Sequence, residues 1–193
     1  MFCGLMKLRL NYLEKTTQHY IWRRKGKAYH HENIIPTVKY GGRNIMIWAC
    51  FAASGPAQLA ITEEKMKSQV YQAILQDNVR MSVCQLKLCR GWVMQQDNNP
   101  KHRSKSTTKW LQKNKIHPLE WPSQSTDLIP IQMLWNDLKR AIHMRCPKNM
   151  TELKQFCQEE WAKIPPERCA GLIHSYMKRL VETIAAKVGS TSY

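Results

Sequence analysis

Asp97 stands at the end of the apolar run Trp92 to Gln96 and is followed at once by Asn98-Asn99-Pro100, which places a carboxylate at the mouth of a strand. Thirty-four residues separate it from Gln132, which lies just past Pro130 at the start of an amphipathic stretch. A carboxylate at a strand end, opposite a polar group on a neighbouring helix, is a frame for two-metal phosphoryl chemistry. Two magnesium ions about 4 Å apart can activate an attacking oxygen and stabilise a leaving one. They must be held by several hard anionic oxygens. Asp97 offers such an oxygen, whereas Gln132 offers a neutral amide. Asp before Asn-Asn-Pro is also an ordinary turn sequence, so these residue types alone leave the chemistry open.

The elements that must position these residues are legible in the apolar spacing. The run Asn44 to Ala52 and the segment Tyr20 to Arg24 are rich in Ile, Trp, Phe and Tyr and are punctuated by Gly41-Gly42 and Gly55-Pro56, which predicts strands, with another at Gln58 to Ile61. From Glu64 to Leu86 the residues Met66, Val70, Tyr71, Ile74, Val79 and Val83 recur at helical intervals. Trp92 to Gln96 predicts a strand, followed by a tight loop and a helix carrying Trp110 and Leu111, and then a short strand around Ile116 to Trp121. Pro130 opens a helix in which Ile131, Leu134, Trp135, Leu138 and Ile142 form the apolar face, leaving Gln132, Asn136, Lys139 and His143 along one flank. Two further helices are expected at Thr151 to Lys163, capped by Asn149 with Glu152 three residues on, and at Glu167 to Lys187. Strands first and helices second, with C-terminal helices from about 129, give an α/β class: a central mixed β-sheet flanked by α-helices, as one domain over 1–193.

Composition narrows the partners. The 193 residues carry 30 Lys and Arg against 14 Asp and Glu, a formal charge of +16, and such a surplus points to a polyanion, because each neutralised phosphate releases condensed counterions. Apolar residues at 43% are too many for a disordered chain. The seven cysteines form neither a C-x-x-C pair nor a zinc-type Cys/His spacing and are expected to be reduced, mostly buried thiols. No apolar run is long enough to span a membrane, and Met1 to Leu13 lacks the pattern of a signal peptide, so an intracellular protein without a membrane partner is expected.

Two stretches carry a specific resemblance. Gln95 to His102 (QQDNNPKH) is similar to the QxDNDPKH motif around the second catalytic Asp of mariner-type DNA transposases, and Leu119 to Gln132 (LEWPSQSTDLIPIQ) resembles that family's LEWPSQSPDLNPIE, whose last residue is the third catalytic carboxylate. The 34-residue separation matches one major branch of the superfamily. Further similarity runs through Tyr20 to Gly26, Ile35 to Gly42, Ile45 to Phe51 and Glu159 to Ile164, covering the chain from about His19 to Tyr193. The resemblance implies an RNase H-like catalytic domain, magnesium as the family's cofactor, DNA as partner, a homodimer as an assembly to be tested, and a nuclear location.

The sequence departs from the family where charge matters. Gln132 replaces the third carboxylate. Counting back without gaps puts the first near Met6, in a stretch, Met1 to Leu13, that holds no Asp or Glu and is expected to survive as a degenerate opening strand. Asp97 then stands without its two carboxylate partners, so no magnesium pair is expected to bind productively. The family's helix-turn-helix recognition modules have no counterpart in these residues, so DNA binding is expected to be electrostatic and weakly sequence-specific. It would run through Arg23, Arg24 and Lys25, through Lys101, His102, Arg103 and Lys105, and through Lys139 and Arg140, with His102 either at a phosphate or simply on the surface. Trp48, Trp92 and Trp135 are expected in the core. Two other readings remain: an active metal-dependent nuclease in which Glu120 or Asp127 substitutes for a missing ligand, and a basic scaffold that binds protein.

Overall fold

The computed structural model describes residues 2–11, 44–63, 66–122 and 128–185. The expected strand at Tyr20 to Arg24, the cluster Arg23, Arg24 and Lys25, and Asp127 lie outside these residues.

The chain opens with strand β1 (Phe2–Asn11), followed by β2 (Asn44–Ala52) and β3 (Gly55–Thr62). Helix α1 (Ser68–Gln85) leads to strand β4 (Val93–Gln96) and helix α2 (Lys105–Lys113). Four helices close the described chain: α3 (Ile131–Arg145), α4 (Met150–Ala162), α5 (Pro166–His174) and α6 (Tyr176–Ala185). Among the described residues the sheet order is β3-β2-β1-β4, with β1 antiparallel to β2 and parallel to β4. This is the expected mixed sheet.

Strand β2 divides the core because successive residues face opposite sides. Ile45, Ile47, Ala49 and Phe51 pack with Ile131, Leu134, Trp135 and Leu138 of α3 and with Trp161 of α4. Trp48, Cys50 and Ala52 pack with Tyr71, Leu75 and Val79 of α1 and with Leu111 of α2. A strand buried on both faces reads as a continuous apolar run, which is why NIMIWACFA lacks alternation. The β2–β3 turn depends on Gly55, whose φ of +129° is accessible in practice only to glycine and which sits over the Pro166 ring at the start of α5. The Trp161 indole donates to the Ala57 carbonyl at 2.8 Å, tying α4 to β3. Asn149 caps α4 by accepting from the Glu152 amide at 2.8 Å, and the Glu152 carboxylate accepts from the Lys148 amide at 2.7 Å.

Three expectations are corrected. The strand at Ile116 to Trp121 is reduced to one parallel bridge, Met94 to Pro118, made by the Met94 amide donating to the His117 carbonyl at 3.2 Å and the Leu119 amide donating to the Met94 carbonyl at 2.7 Å. The single helix from Glu167 breaks at Ser175, whose hydroxyl donates to the Leu172 carbonyl at 3.1 Å, an alternative to regular helical pairing. The cysteines are not all reduced and not mostly buried thiols: among the described residues Cys84, Cys89 and Cys146 are exposed and free, Cys157 and Cys169 are buried and free, and Cys50 is disulfide-bonded.

Candidate active site

Strand β4 delivers Asp97 to the end of the sheet, and the following turn shapes its surroundings. The Asn99 amide donates to Asp97 Oδ1 at 3.3 Å, the Lys101 amide donates to Asn99 Oδ1 at 3.1 Å, and the His102 and Arg103 amides both reach the Asn99 carbonyl. These short-range bonds are the means by which Asn and Asp stabilise tight turns. They bring His102 back beneath the carboxylate, with Nδ1 2.5 Å from Asp97 Oδ1. His102 is 3% exposed against 25% for Asp97, so the expected surface or phosphate-facing position of His102 is replaced by a buried one.

Behind His102 lies Tyr71 of α1, its ring stacked on the imidazole at a centroid distance of 4.0 Å and its hydroxyl donating to Gln96 Oε1 at 2.7 Å. Burial first, and the negative charge of Asp97 second, push the Tyr71 phenol well above its ordinary range, so it is a neutral donor. The apolar spacing of α1 places Tyr71 inward but gives no hint of this hydroxyl contact. The Asp97–His102 contact, by contrast, has a signal in the five-residue spacing across Pro100.

The other two candidate positions lie on β1 and on α3. Leu5 pairs with Gln96 in the parallel β1–β4 register, so Met6 comes level with Asp97 one step further on. Gln132 is half-buried in the first turn of α3. Next to Asp97, the Asn98 side-chain amide donates to the Trp121 carbonyl at 2.5 Å, and Trp121 belongs to the core cluster that also contains Ile129 and Ile131.

A cavity of about 270 Å³ opens beside Asp97, lined by His102, Arg103, His117 and Glu120 among others. Glu120, the described candidate for a substitute ligand, therefore shares a cavity with Asp97. Lys101, Arg103 and Lys105 are exposed around the turn, as is Arg140 on α3, while Lys139 is half-buried. Among the described residues, no group of three His, Cys, Asp or Glu side chains stands together as a metal site. The donor set at the three positions that the resemblance marks does not fit a pair of hard divalent ions: one Asp97 oxygen is engaged by His102, Gln132 is a neutral amide, and a methionine thioether is a soft donor.

An α/β domain of this sheet order, with a carboxylate at the end of the strand beside β1, is of the RNase H-like class. The chain aligns structurally over 99% of its length with 56% of a Mos1 mariner paired-end complex with Mn, at a TM-score of 0.79 and 15% identity. It also aligns over 75% of its length with 74% of the Mos1 catalytic domain, at a TM-score of 0.64 and 19% identity. Residues 10–154 match the DDE superfamily endonuclease family. The chain is 34% identical over 174 residues to the Tc1 transposase of Caenorhabditis elegans and to the Tcb1 transposase of Caenorhabditis briggsae, in each case covering 89% of this chain and 63% of the relative. The chain belongs to the DDE superfamily endonuclease family and is homologous to the Tc1/mariner transposases. It spans less than two thirds of the length of those relatives.

Proposed function

We propose that the chain is a transposase-derived DNA-binding domain of the transposition and integration class, acting in the nucleus, whose phosphoryl-transfer centre is disabled. The observation that supports this best is the residue type at the three positions that the resemblance marks. Asp97 retains its charge, whereas the sheet register brings Met6 level with it and the first turn of α3 carries Gln132. Solved structures of Mos1 described with Mg or Mn support divalent metal use in that protein, and the side chains here lack the charge to hold such a pair productively.

The same reading makes DNA the partner, through the exposed Lys101, Arg103 and Lys105 with Lys139 and Arg140, and treats residues 1–193 as a single unit. Described Mos1 neighbours include a strand transfer complex, which supports DNA as partner and makes a homodimer worth testing. No described helix is long and apolar enough to cross a membrane.

Plasmid nicking in magnesium or manganese, together with duplex binding at several salt concentrations, tests this proposal. The expected result is no nicking above background and an affinity that falls steeply with salt and is indifferent to sequence. A second reading is favoured by Glu120, which lines the cavity beside Asp97. Metal-dependent nicking abolished by both Asp97→Ala and Glu120→Gln would establish that reading and overturn the first.

A further inference from the structure

On the opposite side of α2 from Asp97 lies a groove of about 680 Å³ between α1 and α2. Its walls include Trp92 and Trp110, which are half-buried against the α1-side core, unlike Trp48 and Trp135 at 1% and 0% exposure. Trp92 thus departs from its expected place in the core. Arg80 of α1 and Lys113 and Lys115 at the end of α2 also line the groove, and no acidic residue does.

Helix α2 has no Asp or Glu, and its exposed Lys105, Lys109 and Lys113 recur every four residues, forming a positive stripe from the Asp97 end to the groove. Ile116 lines both the groove and the cavity that holds Asp97, so the two are adjacent. Half-exposed indoles among cations, with no opposing carboxylate, are the chemistry that binds unpaired nucleotides: the cations follow the phosphates and the rings stack on bases of any identity. A duplex keeps its bases stacked inside and has no use for the indoles.

We propose that the α1–α2 groove binds single-stranded DNA, as a track that continues from the Asp97 end of the sheet along α2. The proposal rests on the DNA-binding reading above and adds a location and a strand preference to it.

The test uses the whole chain with a labelled oligothymidylate and a labelled duplex of the same length, read by fluorescence anisotropy. The charge reversals Arg80→Glu, Lys113→Glu and Lys115→Glu, all at exposed positions, are expected together to weaken oligothymidylate binding by about tenfold or more while duplex binding changes much less. Trp110→Leu should weaken it by about fivefold or more, and Trp110→Phe, which keeps an aromatic face, should restore most of the loss. Unchanged oligothymidylate affinity in the charge-reversed protein overturns the proposal and leaves the general DNA-binding reading intact. Equal loss on both DNAs also overturns it, by making the groove a duplex phosphate surface, as does equal binding by the Leu and Phe variants. An unaltered protein that binds neither DNA defeats both the proposal and the reading beneath it.

Discussion

Asp97 shares one carboxylate oxygen with the buried imidazole of His102, which in turn rests on the Tyr71 ring. This support is built from a turn and a helix face and owes nothing to a metal, so under the proposed reading it stays in place whatever residues stand at positions 6 and 132. Restoring one carboxylate should therefore change little, whereas Met6→Asp combined with Gln132→Glu should give a protein that binds manganese in a calorimetric titration and nicks plasmid weakly. A double variant that is folded and titrates no metal would show that the geometry at these positions has been lost along with the charge. The apolar run before Asp97 and the loop after it made its place at a strand end legible, and β4 ends one residue before it; the roles proposed for Asp97, Gln132 and Met6 rest on the motif spacing and on counting back along the resemblance. The hydroxyl of Tyr71 and the burial of His102 were not legible, since a helical apolar period reports which face is inward and is silent about polar atoms on that face.

Among the elements, those with strong periodicity came through as read. Helix α3 presents Ile131, Leu134, Trp135, Leu138 and Ile142 to the core, all of them buried. Trp135→Ala should cost about 3–5 kcal/mol in a denaturant titration, as expected for removal of a fully buried aromatic side chain. Asn149→Ala at the cap of α4 should cost about 1 kcal/mol, a smaller loss with a local cause. Two segments came out differently: Ile116 to Trp121 meets β4 only through the two hydrogen bonds flanking Pro118, and at Ser175 a serine hydroxyl competes for the Leu172 carbonyl. Strand β1 carries no motif, yet its backbone pairs on both sides. Its amides should exchange slowly with solvent deuterium, and full exchange of Phe2–Asn11 at the earliest time point would contradict the pairing.

The whole molecule responds to pH through groups that burial keeps neutral. Burial pushes the Cys157 thiol up to about 12 and the Cys169 thiol up to about 11, from an ordinary value of 9.0, and it raises the Tyr71 phenol as well. The folded protein therefore holds these protons more tightly than the unfolded chain does. The stabilisation is complete below pH 9 and is lost as the pH rises through 11 and 12. Thermal melting should show a midpoint that begins to fall above about pH 9, and Cys157→Ala with Cys169→Ala should flatten that decline. Glu159 and Glu160 have the opposite sign. The Arg145 hydrogen bond lowers the first, and the Lys163 hydrogen bond, followed by Arg145, lowers the second, so their contribution is present above pH 4.5 and lost in acid.

The position of β1 between β2 and β4 has a consequence for how the chain is made. Phe2 pairs with Val93, so β1 cannot be zipped on both sides until β4 has emerged from the ribosome, and in the interval one of its edges stays unsatisfied in the nascent chain. The same topology makes the strand separable: a protein lacking Phe2–Asn11 would keep a slot with two waiting edges, one antiparallel and one parallel. A synthetic FCGLMKLRLN peptide supplied in trans should fill that slot and raise the melting temperature of the clipped protein, whereas a scrambled peptide of the same composition should not.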